Sequence, residues 1–146
     1  GYCSALQSVT LGDMSARTDF NYFLGSCYAL QSVTLGDMSA GTIFSYFLYS
    51  CSALQSVTLG DMSLGTNFNY FLYSCSVLSE IITEGISVDV SFDGLCLSAD
   101  AIEAIFTQLA TVVSATVTVT NNYGTPDLTA GQIAIATAKN WTVVTV

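Results

Sequence analysis

Four cysteines recur at one fixed interval and are the first residues in this sequence that suggest chemistry. They follow a 24-residue interval and are Cys3, Cys27, Cys51 and Cys75. Stacked repeats would bring neighbouring Cα atoms to about 4.8 Å, within disulfide range, but side chains on an in-register column point the same way. We therefore predict a structural column of buried free thiols, with disulfides as the alternative. No metal site is predicted, because the chain has no His and no Cys-x-x-Cys pair.

Three aspartates repeat at the same interval as the cysteines. Asp13, Asp37 and Asp61 each follow a glycine in the block LGD. Two such charges about 4.8 Å apart in water repel by ~0.9 kcal/mol, so we expect a solvated row in which the pKa of the central Asp37 is raised. The alternative is a cation row that binds Ca²⁺, an ion that needs six or more oxygen ligands. No other cofactor is predicted.

Pairs of hydroxyl side chains form the third repeated set. They are Ser8 and Thr10, Ser32 and Thr34, and Ser56 and Thr58. On a strand they would share the outward face, which Thr83 and the threonines of the C-terminal part would extend. A regular hydroxyl array of this kind is a candidate binding face for glycans or ice, and the alternative is a solvated strand face rich in good strand formers.

Tyrosines repeat further along each unit. They form one row of three, Tyr22, Tyr46 and Tyr70, and a shorter row of Tyr49 and Tyr73. Rigid amphipathic rings often anchor interfaces, so these rows are either a contact surface or half-buried packing.

Charge and missing motifs exclude several function classes. The 146 residues carry 11 acidic and two basic side chains, a formal net charge of -9, which repels nucleic acid and anionic membranes. No apolar run is long enough for a membrane span. The sequence has no nucleophile–base pair, phosphate loop or metal cluster, so no catalytic residues are predicted. The pairs Glu80/Glu84 and Asp89/Asp93 are not interpreted as glycosidase acids, because nothing else at their spacing indicates a sugar cleft.

The positions of these residues follow from an internal 24-residue repeat. The block ALQSVTLGDMS is identical at 5–15, 29–39 and 53–63, and a fourth unit begins at Cys75 before the pattern dissolves. Leu6, Val9 and Leu11 follow the alternation of a short strand with one buried face. The segment from Phe20 to Cys27 has the spacing of a short helical turn. Neither element buries its apolar face alone, so the repeats must stack into a parallel sheet.

The pattern Cys-x-x-Leu-x-x-Val-x-Leu, with an aromatic residue three or four positions before the next Cys, resembles the BspA-like class of leucine-rich repeat over residues 3–83. That class occurs in bacterial surface proteins and phage-encoded proteins. The resemblance implies an α/β fold: a right-handed leucine-rich-repeat solenoid with a parallel sheet on one side and short helices on the other.

Residues 86–146 form a different layer. Strands are predicted near residues 88, 118 and 143, and helices over 97–109, with Ser98 as N-cap, and over 128–140. We expect these strands to continue the sheet of the repeats, with the helices on the back. The ending is similar to the cap that follows such repeats in phage and prophage structural proteins. The predicted organisation is residues 1–85 as repeats and 86–146 as degenerate repeats and a capping region continuous with them.

Together these features predict a non-enzymatic structural or adhesive module that is extracellular or on a virion surface. A phage virion component is placed ahead of a bacterial surface adhesin. The alternatives are a glycan- or ice-binding module that uses the Ser/Thr face and an enzyme accessory domain. The first repeat begins in phase, with apolar residues such as Leu6 and Phe20 that have no layer above them. Expected partners are therefore protein subunits or upstream repeats at that end, and a cell-surface protein or glycan elsewhere.

Overall fold

The computed structural model describes residues 3–146 and shows a mixed α/β fold with parallel strands, as predicted. The elements in chain order are β1 (Ser8–Leu11), β2 (Ser32–Leu35), β3 (Ser56–Asp61), β4 (Glu80–Glu84), β5 (Val90–Ser91), α1 (Ala99–Gln108), β6 (Ala115–Thr118), a 3₁₀ turn (Thr125–Asp127), α2 (Ala130–Thr137) and β7 (Trp141–Val144). No helix among these residues is long and apolar enough to cross a membrane.

The first sheet contains β1, β2, β3 and β4 in that order, all parallel. Its register follows the 24-residue interval, since Ser8 pairs with Ser32 and Ser32 with Ser56. Val57 and Leu59 are buried on the inner face of β3, which is the alternation that the sequence predicts. The pairing of β3 with β4 shifts by one residue between Thr58 and Asp61.

The predicted helical turn on the other side of each repeat is wrong. In the first repeat (residues 3–26) this segment is a series of turns, and Tyr22, Leu24 and Ser26 have φ values of 53°, 53° and 59°. Alternate residues in the left-handed region cannot continue a right-handed helix. The same conformation recurs in the second repeat (residues 27–50) and the third (residues 51–74).

Stacked phenylalanines fix this segment to the core. Phe20 stacks on Phe44 at a centroid distance of 5.2 Å, and Phe44 stacks on Phe68 at 5.1 Å. A second column, Phe23, Phe47 and Phe71, packs edge-on against the first. Because these rings must remain in register, they hold the intervening turns in their left-handed conformation.

The C-terminal strands do not continue the first sheet, contrary to the sequence prediction. β5, β6 and β7 form a separate parallel sheet. α1 instead lies beside β4, where the side-chain carbonyl of Gln108 accepts a hydrogen bond from the Thr83 N–H at 2.7 Å and its backbone carbonyl accepts one from the Gly85 N–H at 3.3 Å. A helix therefore occupies the position where the next strand of the repeats was expected.

Both predicted C-terminal helices are present and capped. The Ser98 hydroxyl accepts from the Ala101 N–H at 3.1 Å, as predicted, and Thr129 forms a capping box with Gln132 at the start of α2. Lys139, just after α2, donates from Nζ to the carbonyls of Phe106, Thr107 and Leu109 at 3.1, 2.6 and 2.8 Å. This ammonium group neutralises the C-terminal end of α1 and joins the two helices.

A single hydrophobic cluster runs from Phe20 in the first repeat to Trp141 in β7. It joins the inner faces of both sheets with the buried side chains Ile102, Ile105 and Phe106 of α1. The repeats and the C-terminal layer thus share one core.

Candidate functional site

The tyrosine row (Tyr22, Tyr46, Tyr70) is an exposed stack of rings across the three repeats. The centroid distances are 4.5 Å between Tyr22 and Tyr46 and 4.8 Å between Tyr46 and Tyr70, with interplanar angles of 7° and 17°. Tyr22 and Tyr70 remain 59% and 53% exposed. Partial burial, and then the neighbouring rings, raise the pKa of the Tyr46 phenol. The stack holds each ring in a fixed orientation while its edge faces solvent.

The tyrosine row ends at a glycine. Gly94 stands one repeat interval after Tyr70 and has a φ of 66°, close to the 58° of Tyr70. A Cβ built on Gly94 would meet no atom within 4 Å. Gly94 therefore has the backbone conformation of a tyrosine-row residue without the ring.

Backbone hydrogen bonds between successive repeats stop at the same place. In the first two repeats, N–H groups on the tyrosine side donate to carbonyls of the next repeat, at 2.6–3.1 Å: Phe20 to Ile43, Tyr22 to Ser45, Ser26 to Tyr49, Phe44 to Asn67, Tyr46 to Asn69 and Ser50 to Tyr73. Within residues 3–146, the equivalent N–H groups of Phe68, Tyr70 and Ser74 make no such bond. The pattern resumes from Phe92 and Gly94 to Thr118 and Thr120, at 2.8 and 3.0 Å.

This interruption, between residues 66–73 of the third repeat and residues 87–93, is here called the seam. The first sheet stays paired at the same level, through β3 and β4, so only the tyrosine side opens. Across it lies a cavity of about 450 Å³ lined by Asn69, Tyr70, Phe71, Tyr73, Ser91 and Asp93. Two further cavities, about 540 and 320 Å³, continue along the seam and share Asn69 with the first.

Polar groups on the far wall of the seam are held in place. Asp89 Oδ1 accepts from the Thr116 N–H at 2.7 Å. Asp93 Oδ1 accepts from the Thr120 hydroxyl and from Asn121 Nδ2, the latter at 2.7 Å. The sequence gives no reason to place Asp89 and Asp93 at a cleft, yet both line the seam.

Positive charge lies away from the seam. Arg17 packs over the rings of Phe20 and Phe23, 5.2 and 5.1 Å from their centroids, and Lys139 is bound to the end of α1. These are the two basic side chains of the sequence. The local field at the seam is therefore set by carboxylates and favours neutral or cationic groups over anions.

The cysteine column contains no disulfide within residues 3–146, and three of its four thiols lie in the core. Cys27, Cys51 and Cys75 are buried, and Cys3 is half-buried, as is Cys96 outside the column. The thiols of Cys51 and Cys75 each donate to a backbone carbonyl at 3.2 Å. Burial raises the pKa of Cys51 to about 11 and that of Cys75 to about 12. Such thiols are protonated near neutral pH and make poor nucleophiles and metal ligands.

Each aspartate of the row forms its hydrogen bond within its own turn. The predicted rise in the pKa of Asp37 is wrong. Asp13, Asp37 and Asp61 each accept a hydrogen bond from the N–H two residues ahead, at 2.8–2.9 Å. Hydrogen bonds from the side chain and the backbone of Ser39 lower the pKa of Asp37, and they outweigh repulsion from Asp13. The pKa of Asp13 is lowered in the same way by Ser15. No three His, Cys, Asp or Glu side chains within residues 3–146 are grouped to hold a metal ion.

The hydroxyl face extends over three strands, β1, β2 and β3. Ser8, Ser32 and Ser56 are in register, as are Thr10, Thr34 and Thr58. On β4 the equivalent residues are Glu80 and Ile82. Thr83 does not extend the outward face as predicted, because it is 2% exposed and its hydroxyl has no hydrogen-bond partner within residues 3–146.

Sequence reasoning identified the tyrosines but missed the seam. The sequence feature that could have indicated the seam is the 24-residue interval, which places Gly94 where a fourth tyrosine would lie. Asn69, Ser91 and Asp93 carry no motif of their own.

The comparisons with known proteins give no further guidance. No protein-family model, no curated protein and no solved structure matches this chain. The BspA-like resemblance therefore rests on the repeat residues alone.

Proposed function

We propose that this chain is a non-enzymatic adhesive repeat module, displayed outside the cell or on a virion, that attaches through its tyrosine row. The observation that carries the proposal is the stack of Tyr22, Tyr46 and Tyr70, half-exposed and held in one orientation across three repeats. Tyrosine supplies a large contact area at a low entropic cost, and stacking lowers that cost further. Several equivalent contacts on one rigid scaffold also add avidity.

The finer fold belongs to the same proposal. We infer a right-handed leucine-rich-repeat solenoid, in which residues 86–146 act as a cap. Three sets of contacts at the 24-residue interval support it: the register of the first sheet, the isolated bridges Asp19–Ile43 and Ile43–Asn67, and the aromatic columns. Contacts on several sides of each repeat are what a solenoid requires. The repeat resemblance favours a virion component or a bacterial surface adhesin as the setting.

The hydroxyl face is the weaker candidate for the adhesive surface. Its regular array is six side chains, and Glu80 and Ile82 interrupt it at β4. A flat hydroxyl surface gains strength from length, whereas each exposed tyrosine ring already buries substantial apolar area on contact.

A partner at the first repeat is also proposed. Leu11 is 38% exposed, while Leu35, its equivalent in the second repeat, is 2% exposed. Val9 is half-buried where Val33 is 1% exposed. Among residues 3–146, β1 pairs on one edge alone, so another subunit or a preceding repeat would bury these side chains and pair the other edge.

Bead adhesion tests the proposed function. Beads coated with the chain are counted on bacterial cells after washing, and we expect the triple variant Tyr22→Ser, Tyr46→Ser, Tyr70→Ser to retain about tenfold fewer beads or less. The matched control is Tyr28→Ser, because Tyr28 is 50% exposed and lies outside the row. Circular dichroism verifies that each variant is folded. Equal retention of triple-variant and wild-type beads, or no retention of wild-type beads, would contradict the proposal.

A further inference from the structure

We propose that the seam beside Tyr70 binds a neutral oligosaccharide, with one sugar ring stacked on the open face of Tyr70. This inference rests on the adhesive function proposed above and names a chemical class for its ligand. It uses a different part of the surface from the hydroxyl face, namely the junction between the third repeat and the C-terminal layer.

The first step is the open ring face. Tyr70 stacks on Tyr46 on one side and is T-shaped to Tyr73 at 5.6 Å, and within residues 3–146 no ring stacks on its other side. The 24-residue interval puts Gly94 at the next place in the row. Gly94 leaves that position without a side chain. The row thus ends in an aromatic face that is held in one orientation and has no ring stacked on it. A flat apolar surface of this kind suits the apolar face of a sugar ring.

The second step is the polar lining. Asn69, Ser91 and Asp93 surround the same cavity, and Tyr70, whose N–H group is unpaired within residues 3–146, lines its third-repeat wall. Phe68, whose N–H group is also unpaired, lines the two cavities that continue along the seam. These groups include both donors and acceptors, as sugar hydroxyls require. Unpaired backbone groups at this junction gain hydrogen bonds when a hydroxylated ligand enters. The cavity volume of about 450 Å³ is in the usual range for ligand sites, about 300–1,000 Å³.

The third step is charge. Asp89 and Asp93 line the seam, and both basic residues are committed elsewhere. Phosphate, sulfate and carboxylate ligands would meet repulsion without a compensating cation. A neutral polyhydroxylated molecule meets no such cost.

An extended peptide fits the seam less well. Strand addition needs a straight edge of several residues with outward N–H groups. Tyr70 and Leu72 are both left-handed, each with a φ of 58°, and the Asn69 N–H is already bonded to Asn67 Oδ1 at 3.0 Å. The usable edge is therefore too short to pair with a strand.

The test is to place a tyrosine ring at Gly94, where the tyrosine row would continue. Gly94 has a φ of 66°, which strains any L side chain, but Tyr22, Tyr46 and Tyr70 already have φ values of 53°, 54° and 58°, and a Cβ at Gly94 has open space. Gly94→Tyr is therefore the substitution that this position accepts by analogy with the tyrosine row. Binding of cellotriose, maltotriose and chitotriose to the 146-residue chain is measured by saturation-transfer NMR and titration. We expect at least one trisaccharide to bind the wild type and Gly94→Tyr to weaken it by about tenfold or more.

Two control variants distinguish a ring that blocks the sugar site from a loss of folding. Gly94→Asn tolerates the same left-handed backbone without a ring and should retain binding. Tyr22→Ser removes the opposite end of the tyrosine row and should leave trisaccharide binding within about twofold, whereas Tyr70→Ser should abolish it.

Each outcome decides the matter. No trisaccharide binding at about 10 mM, unchanged binding in Gly94→Tyr, or binding of choline or of an Ala-Val-Thr-Val-Ala peptide in place of the sugars would overturn the inference. Adhesion of the beads without trisaccharide binding would refute the sugar site and leave the adhesive function standing. Trisaccharide binding without bead adhesion would support the sugar site and refute the adhesive function.

Discussion

The buried cysteine column predicts a wide spread of thiol reactivity within one folded chain. Cys51 and Cys75 lie in the core, each with its thiol donating to a backbone carbonyl, while Cys3 and Cys96 are half-buried. Burial disfavours the thiolate, which is the reactive form. We expect native Cys51 and Cys75 to react much more slowly than Cys96 with a thiol reagent.

The magnitude follows from the pKa values of the two buried thiols. At pH 8 a thiol of pKa 9.0 is roughly one-tenth ionised, whereas pKa values of about 11 and about 12 leave roughly one part in 1,000 and one in 10,000. Thiolates of higher pKa are more nucleophilic, with a Brønsted slope of about 0.4–0.5, which recovers part of the loss. The net slowing is about tenfold for Cys51 and about 40-fold for Cys75 before blocked access is counted.

The assay is reaction with a chromogenic disulfide reagent, with each site assigned by mass spectrometry. Denatured protein without reductant should release five equivalents, the number of cysteines in the sequence. Three equivalents or fewer would mean at least one disulfide. Native Cys51 and Cys75 reacting at the rate of Cys96 would refute the link between burial and the raised pKa.

Four further predictions use stability or assembly as their readout. The raised pKa of Cys75 favours the folded state fully below the unfolded value of 9.0 and loses that contribution as pH rises towards about 12, so Cys75→Ala should flatten the alkaline loss of urea resistance. The lowered pKa of Asp37 stabilises above 3.8 and is lost as pH falls through the folded value, so Asp37→Asn should flatten the acid loss of urea resistance. Lys139→Met removes the hydrogen bonds to three carbonyls at the end of α1 and should lower the free energy of unfolding by about 1–2 kcal/mol in urea titrations. Leu11→Lys should reduce self-association in sedimentation experiments, because it places a charge beside the β1 edge that pairs with no strand among residues 3–146; the control Leu64→Lys, at a side chain 57% exposed, should not.

The elements of the first sheet were predictable because two signals agree there. Val33 and Leu35 alternate with hydroxyl residues, and the 24-residue copy places each strand beside its equivalent. Stacking of identical units leaves one register that keeps every apolar side chain inside. The two C-terminal helices were predictable for a related reason, since Ser98 and the apolar spacing of Ile102, Ile105 and Phe106 mark one buried helix face.

The turns that carry the tyrosine row could not be predicted from periodicity. Phe20, Phe23 and Cys27 have helical spacing, yet Tyr22 and Leu24 between them are left-handed. Each such residue costs about 1–2 kcal/mol locally. Contacts with the next repeat, such as the stacking of Phe20 on Phe44, offset this free-energy cost. The residue spacing within a single repeat does not reveal such contacts.

The repeat interval changes just beyond the seam, since Phe68 to Phe92 and Tyr70 to Gly94 across it still span 24 residues. Ser56 pairs with Glu80 and so keeps the 24-residue interval, but in the second sheet Ser91 pairs with Thr118, and Thr118 with Val144, both at longer intervals. α1 replaces a strand in this layer, and a helix rises about 1.5 Å per residue where a strand rises about 3.3 Å. The longer interval accommodates the ten residues of α1.

The layer that forms the far wall of the seam is held at the 24-residue interval by the pairing of β3 with β4 and at a longer interval by the pairing of β5 with β6. The β3–β4 side keeps its pairing with a one-residue shift, so the mismatch falls on the tyrosine side, at Phe68 and Tyr70. Shortening the C-terminal layer to the 24-residue interval should therefore close the seam, protect these two amides from hydrogen exchange and remove trisaccharide binding together. Protection of both amides in the wild type, at the level of Phe44 and Tyr46, would show that the seam is closed in solution and that this account of it is wrong.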